Sequence, residues 1–162
     1  KKECGRVVAL ACSHVADHPE AVRLLVAELH YIFKSSSDAR DSLSPAGAQA
    51  LLTLVERYSA SADVVAPVLV AIRASCRQSE ANRTFYVDAG IIPHLISILR
   101  THHTIASVVD ASCSTMRVLT LSDDERYVSV ALFCVTAVGV ELFSSRLQCS
   151  YGQGTPAPDE AC

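Results

Sequence analysis

The sequence predicts an all-α fold, a solenoid of about three stacked helical units, and two observations carry that expectation. The first is spacing. Within Glu80-Ala-Asn-Arg-Thr-Phe-Tyr-Val-Asp-Ala-Gly-Ile-Ile-Pro-His-Leu-Ile-Ser-Ile-Leu99, the residues Ile92, Leu95, Ile96 and Leu99 recur on one face of a helix. The second is self-similarity. Offset by 44, Leu51-Leu-Thr-Leu-Val55 falls on Leu95-Ile-Ser-Ile-Leu99, Ile72-Arg73 on Met116-Arg117, and Leu69 on Cys113. Offset by 43, the run from Arg40 to Ala46-Gly47 falls on that from Arg83 to Ala89-Gly90, and Leu25, Val26 and Leu29 fall on Val68, Leu69 and Ile72. A helical period in the low forties marks an array. Each unit is too small to bury its own apolar face, so neighbours stack into a continuous core.

Composition agrees with this. The 162 residues suit one domain with a real core. Half are hydrophobic, 19% are charged and 6% aromatic, without Trp, which favours Ala/Val/Leu-rich helices over a β-sandwich. A net charge of −3 gives no global electrostatic case for nucleic acid or an anionic membrane, so neither is expected as a partner. Seven scattered Cys, an odd number, read as reduced, buried small hydrophobes. That usage points to the cytosol and is compatible with the nucleus. Asn82-Arg83-Thr84 matches a glycosylation sequon, to which a cytosolic setting gives no weight.

In chain order, residues 5–16 read as the second helix of a first unit, broken by Asp17-His-Pro-Glu20 with Pro19 at a new helix start. Residues 20–34 are its long third helix. The polar stretch 35–42 is expected to be loose or partly unwound. Residues 47–59 and 63–78 form the helix pair of the second unit, with Asp63 as the expected N-cap and Pro67 near enough to the start to be tolerated. Next come a short helix from Glu80, a turn at Gly90 that needs φ > 0, and a helix with Pro93 in its first turn. After the polar break Arg100–Thr104, a last helix turns Val108, Val109, Cys113, Met116 and Leu119 inward. The units fall at about 5–46, 47–89 and 90–126. Ser122-Asp-Asp-Glu125 suits the start of a further helix. Beyond Arg126 the register fails. Residues 127–147 are expected to be an apolar capping helix, its run Val128–Val140 being shorter than a membrane span needs, and 148–162 a disordered tail. The first unit lacks a leading short helix, so a segment of a longer array, or an isoform, is the expectation.

Gly90-Ile-Ile-Pro-His-Leu-Ile-Ser-Ile-Leu99, with the third-helix cores Leu69/Ile72/Cys76 and Cys113/Met116/Leu119, resembles the armadillo-repeat family. The resemblance is strongest over about 63–126, through Ala71-Ile-Arg-Ala-Ser-Cys-Arg-Gln78, Asn82-Arg83, His102-His103 and Met116–Arg126, and residues 127–162 depart from it. It implies an armadillo-type right-handed α-solenoid of about three repeats and a non-enzymatic, protein-binding role. In that family the third helices line a concave groove. The repeat register assigns Ala27, His30, Tyr31 and Lys34, then Val70, Arg73, Ala74 and Arg77, then Ser114, Arg117, Val118 and Leu121 to it. Family members that import nuclear cargo hold an extended peptide with Asn and Trp ladders. Here Ala74 and Val118 stand at the Asn-equivalent places, and Val70 and Ser114 at the Trp-equivalent ones. Ala and Val cannot clamp a peptide backbone as an amide does, so a nuclear-import receptor is not expected.

What remains is a basic stripe, Lys34, Arg73, Arg77 and Arg117, with His30 beside it. Arginine offers bidentate contacts, so the expected partner is a protein with an acidic or phosphorylated segment. The bland alternative is a solvated face paired with acidic neighbours. A second functional reading is a HEAT-like structural subunit that assembles through its ends or convex face. No enzyme, cofactor or metal site is expected. There is no Cys-x-x-Cys pair, Cys4, Cys12, His14 and His18 fit no zinc spacing, and adjacent side chains at His102-His103 diverge. No nucleophile elbow, phosphate loop or zinc-protease motif occurs.

Overall fold

A computed structural model describes residues 3–120, which form eight helices and no strand. They are α1 (Glu3–Val15), α2 (Pro19–Ser35), α3 (Ser37–Asp41), α4 (Pro45–Arg57), α5 (Ala62–Cys76), α6 (Glu80–Asp88), α7 (Ile91–Thr101) and α8 (Ala106–Leu119). The long helices α2, α5 and α8 lie side by side in one layer, and α1, α4 and α7 form the other. Each helix of one layer also packs on its sequence neighbour in the other, α1 on α2, α4 on α5 and α7 on α8. The core lies between the layers. Val22, Val26, Leu29 and Phe33 from α2 are buried there, with Leu51, Leu52 and Val55 from α4 and Leu95, Ile96 and Leu99 from α7. The helix α5, central in its row, is buried nearly all round. This is the all-α solenoid of stacked helices that the periodicity anticipates.

Local chemistry sets the boundaries. Pro19 and Pro45 open α2 and α4, where a missing N–H costs nothing. Gly90 caps the start of α7 at φ 82°, a conformation that a Cβ makes unfavourable by about 1–2 kcal/mol. Gln78, just beyond α5, takes the same left-handed region at φ 55° without being glycine. Pro67 sits inside α5, and its missing N–H leaves the Asp63 carbonyl without its usual helical donor.

Several expectations are corrected. The stretch 35–42 is not loose: it contains α3, capped by Ser36, whose hydroxyl accepts from the Ala39 N–H at 3.2 Å. Arg40 within it is buried. Its guanidinium donates to the Phe33 carbonyl at 2.6 Å and to Gln78 Oε1 at 3.4 Å, which anchors the segment. The N-cap of α5 is Ser61, with Asp63 inside the first turn. Gly47 does not mirror Gly90. It lies within α4, where an added Cβ would stand 2.9 Å from the Gly5 carbonyl oxygen and 2.7 Å from Leu43, so its role is close approach of α1 and α4. Cys113 is exposed; the inward face of α8 is Val108, Ala111, Ser112, Thr115, Met116, Val118 and Leu119. Cys12 and Cys76 are buried and Cys4 half-buried. The expected cap at 122–125, capping helix at 127–147 and tail at 148–162 lie outside the described residues.

Polar side chains tie successive units together at matching places. The Tyr58 hydroxyl, at the end of α4, donates to the Ala16 carbonyl beyond α1 at 2.8 Å. His102, at the end of α7, places Nε2 2.8 Å from the Ser59 carbonyl beyond α4. Asn82 is buried, and its amide donates to the carbonyls of Arg40 at 2.9 Å and Ser75 at 2.8 Å. That engagement removes the sequon from solvent in the folded chain. Thr115 Oγ lies 3.2 Å from the Leu69 carbonyl, where α8 rests on α5.

Candidate protein-binding face

The repeat register sets His30, Arg73 and Arg117 in one row along α2, α5 and α8, and Lys34 and Arg77 in a second, whose third place, Leu121, lies outside the described residues. Lys34, Arg77 and Arg117 are exposed and Arg73 half-buried, so all four cations can reach solvent. His30 is half-buried, with its Nδ1 enclosed and without a hydrogen-bond partner.

Charge pairing is uneven across the surface, and exposed Arg6 on α1 also has no carboxylate partner among the described residues. Arg23 pairs with Glu20 at 3.2 Å, Arg57 with Asp17, and Arg83 with Glu80. On the other layer, His94 lies 3.4 Å from Glu56. Among the described residues no carboxylate pairs with Lys34, Arg73, Arg77 or Arg117. Helix ends contribute too: Lys34, Arg73 and Arg117 each sit in the last turn of their helix, where the dipole favours a cation.

Not every residue of the sequence-derived groove lines this face. Ala74 and Val118 are buried, at 1% and 9% exposure, because the neighbouring long helix covers them. Val70 and Ser114 are half-buried between the rows, while Ala27 and Tyr31 are exposed. The face can therefore offer guanidinium and ammonium donors around small, shallow side chains. Among the described residues, no group of three or more His, Cys, Asp or Glu side chains could hold a metal ion, and no helix is long and apolar enough to cross a membrane.

Burial pushes the Cys12 thiol up to about 11 and the Cys76 thiol up to about 12, so both are protected rather than activated, while partial desolvation and the nearby Asp110 carboxylate raise the mostly exposed Cys113 above its ordinary value. Burial likewise holds the Tyr86 hydroxyl well above the ordinary tyrosine range.

Over 103 residues, 64% of its length, the chain is 31% identical to armadillo repeat-containing protein 6 of Pongo abelii. Over the same share it is 29% identical to armadillo repeat-containing protein 6 of Homo sapiens. The chain spans 21% of the length of these curated relatives. No family model and no solved structure matches it.

Proposed function

We propose that this chain, an armadillo-type helical array similar to armadillo repeat-containing protein 6, is a non-enzymatic scaffold that binds a protein partner. The partner segment is acidic or phosphorylated and lies across the long helices, against Lys34, Arg73, Arg77 and Arg117. One observation carries the reading: these four cations lack carboxylate partners among the described residues, whereas Arg23, Arg57 and Arg83 have them. An unpaired guanidinium held on a rigid helix can make two parallel hydrogen bonds to a carboxylate or phosphate. Arg73 and Arg117 occupy equivalent places on adjacent helices, so a bound segment would meet a repeated contact.

The test is quantitative affinity capture with mass spectrometry. The intact chain is compared with an Arg73→Glu/Arg77→Glu/Arg117→Glu variant of matched helical circular dichroism. Loss of partners with acidic segments from the variant alone supports the reading. Identical capture by both chains overturns it. A second reading, assembly through the ends of the array, is favoured by apolar side chains left open on α2, among them Leu24 and Tyr31.

A further inference from the structure

The short helices α3 and α6 are register equivalents, offset by 43, and they agree in all but one respect. Each follows a serine N-cap, Ser36 in one and Ser79 in the other. Four residues on, each carries an arginine against the end of the preceding long helix. Arg40 donates to the Phe33 carbonyl of α2 at 2.6 Å. At the place equivalent to Phe33, the Cys76 thiol of α5, raised by burial, is within reach of the Arg83 charge. The difference lies in the counter-ion. Arg83 pairs with Glu80, three residues before it, with Nε 3.1 Å from the carboxylate. Three residues before Arg40 stands Ser37. Arg40 is 7% exposed, and its partners, the Phe33 carbonyl and Gln78 Oε1, are neutral. Among the described residues no carboxylate pairs with it. A guanidinium taken out of water gains from an anion what neutral acceptors do not supply.

We infer that Ser37 is a phosphorylation site, and that its phosphate is to Arg40 what the Glu80 carboxylate is to Arg83. Ser37 is exposed, whereas the hydroxyls beside it are engaged: Ser36 accepts from the Ala39 N–H, and Ser35 donates to the Tyr31 carbonyl. Asp38 and Asp41 follow it and are exposed, a charge pattern that a protein kinase with a basic substrate groove reads. In the transfer, Ser37 Oγ bonds to the terminal phosphorus of ATP, the bond to the departing diphosphate breaks, and the hydroxyl proton passes to the kinase. The product carries close to two negative charges and three acceptor oxygens. On a helix the third residue on is a near neighbour and the next residue is not, so the phosphate meets Arg40 while Asp38 points elsewhere. The new ion pair tightens α3 against the ends of α2 and α5, which Arg40 already joins.

The test has two parts. The folded chain is incubated with ATP and an acidophilic serine/threonine protein kinase, and peptide mapping by mass spectrometry locates the phosphate. Label at Ser37 is expected; none there, or label confined to Ser35 or Ser36, overturns the inference. The chain is also made with phosphoserine built in at Ser37 by codon reassignment. Phosphorus NMR should then show the phosphate titrating about one unit below the ordinary value near 6, because a neighbouring cation favours the dianion. Thermal unfolding followed by circular dichroism should move up by about 3 °C, and added salt should shrink that gain. Ser37→Glu should give a smaller gain in the same direction. Arg40→Gln, which keeps an amide donor for the Phe33 carbonyl, should abolish the gain and return the phosphate to its ordinary titration. If Arg40→Gln fails to fold, the intact phosphorylated chain still decides. A phosphate that titrates as in a free peptide, or a melting point that does not rise, overturns the inference.

Discussion

His102 reaches back across one whole unit to Ser59, its Nε2 2.8 Å from the backbone carbonyl, and so repeats the contact that Tyr58 makes with Ala16. A carbonyl has no proton to give, so Nε2 is the donor. These are rungs between loops rather than between helix faces, and they fix the spacing of one unit on the next. Tyr58→Phe is expected to lower stability by about 1 kcal/mol, the net worth of one hydrogen bond. His102→Ala removes a buried ring as well and is expected to cost about 2 kcal/mol or more. Urea unfolding measures both, and a cost near zero for each would show that the rungs do not hold the stack.

Asn82 fastens α6 to both α3 and α5 by donating to two carbonyls. Asn82→Ala leaves both carbonyls without that donor and is expected to cost about 2–3 kcal/mol. Asn82→Asp should be worse, because it turns a carboxylate toward two carbonyl oxygens in a buried place. Denaturant midpoints of the two variants give the order directly.

Gly47 and Gly90 should respond differently to the same substitutions. Gly90 has open space around it and a positive φ, so alanine there costs about 1 kcal/mol while asparagine, which tolerates that conformation, costs less. At Gly47 the obstacle is the Gly5 backbone, so asparagine is worse than alanine. Thermal midpoints of the four variants test the reversal.

Alkaline pH should destabilise the fold through its buried thiols. An unfolded cysteine ionises near its ordinary value of 9.0, whereas folded Cys12 and Cys76 stay protonated until about 11 and about 12. The unfolded state therefore gives up protons first, and stability falls as pH rises above about 9. Tyr86 acts in the same direction, since burial raises it too. Unfolding free energies measured from pH 7 to 10.5 should decline, and Cys76→Ala should flatten the decline. A flat profile in the intact chain contradicts the account.

The helices α1, α2, α4, α5, α7 and α8 were legible because their apolar residues follow the helical period and their breaks carry Pro, Gly or polar clusters. What was not legible depends on contacts between distant parts. Arg40 lies in the polar stretch expected to be loose, yet its guanidinium finds the Phe33 carbonyl and Gln78, and this anchors α3. Gly47 matched Gly90 by register but serves helix contact, which depends on where α1 passes. On the face of the long helices, the register sets Arg73 and Arg117 at equivalent places, and Lys34 and Arg77 likewise. It could not show that Ala74 and Val118 lie beneath a neighbouring helix, because a repeat offset fixes position along a helix and not the angle at which the next one covers it.

Recognition of an acidic segment by the unpaired cations on the long helices is the proposal on which the function rests. The most direct measurement is selection of extended peptides from a random library by the intact chain and by an Arg73→Glu/Arg117→Glu variant of equal helicity. The account predicts that the intact chain enriches Asp- and Glu-rich peptides, that added salt weakens their binding, and that the variant loses them. Peptides without acidic enrichment, or the same acidic peptides held equally well by the variant, would contradict it.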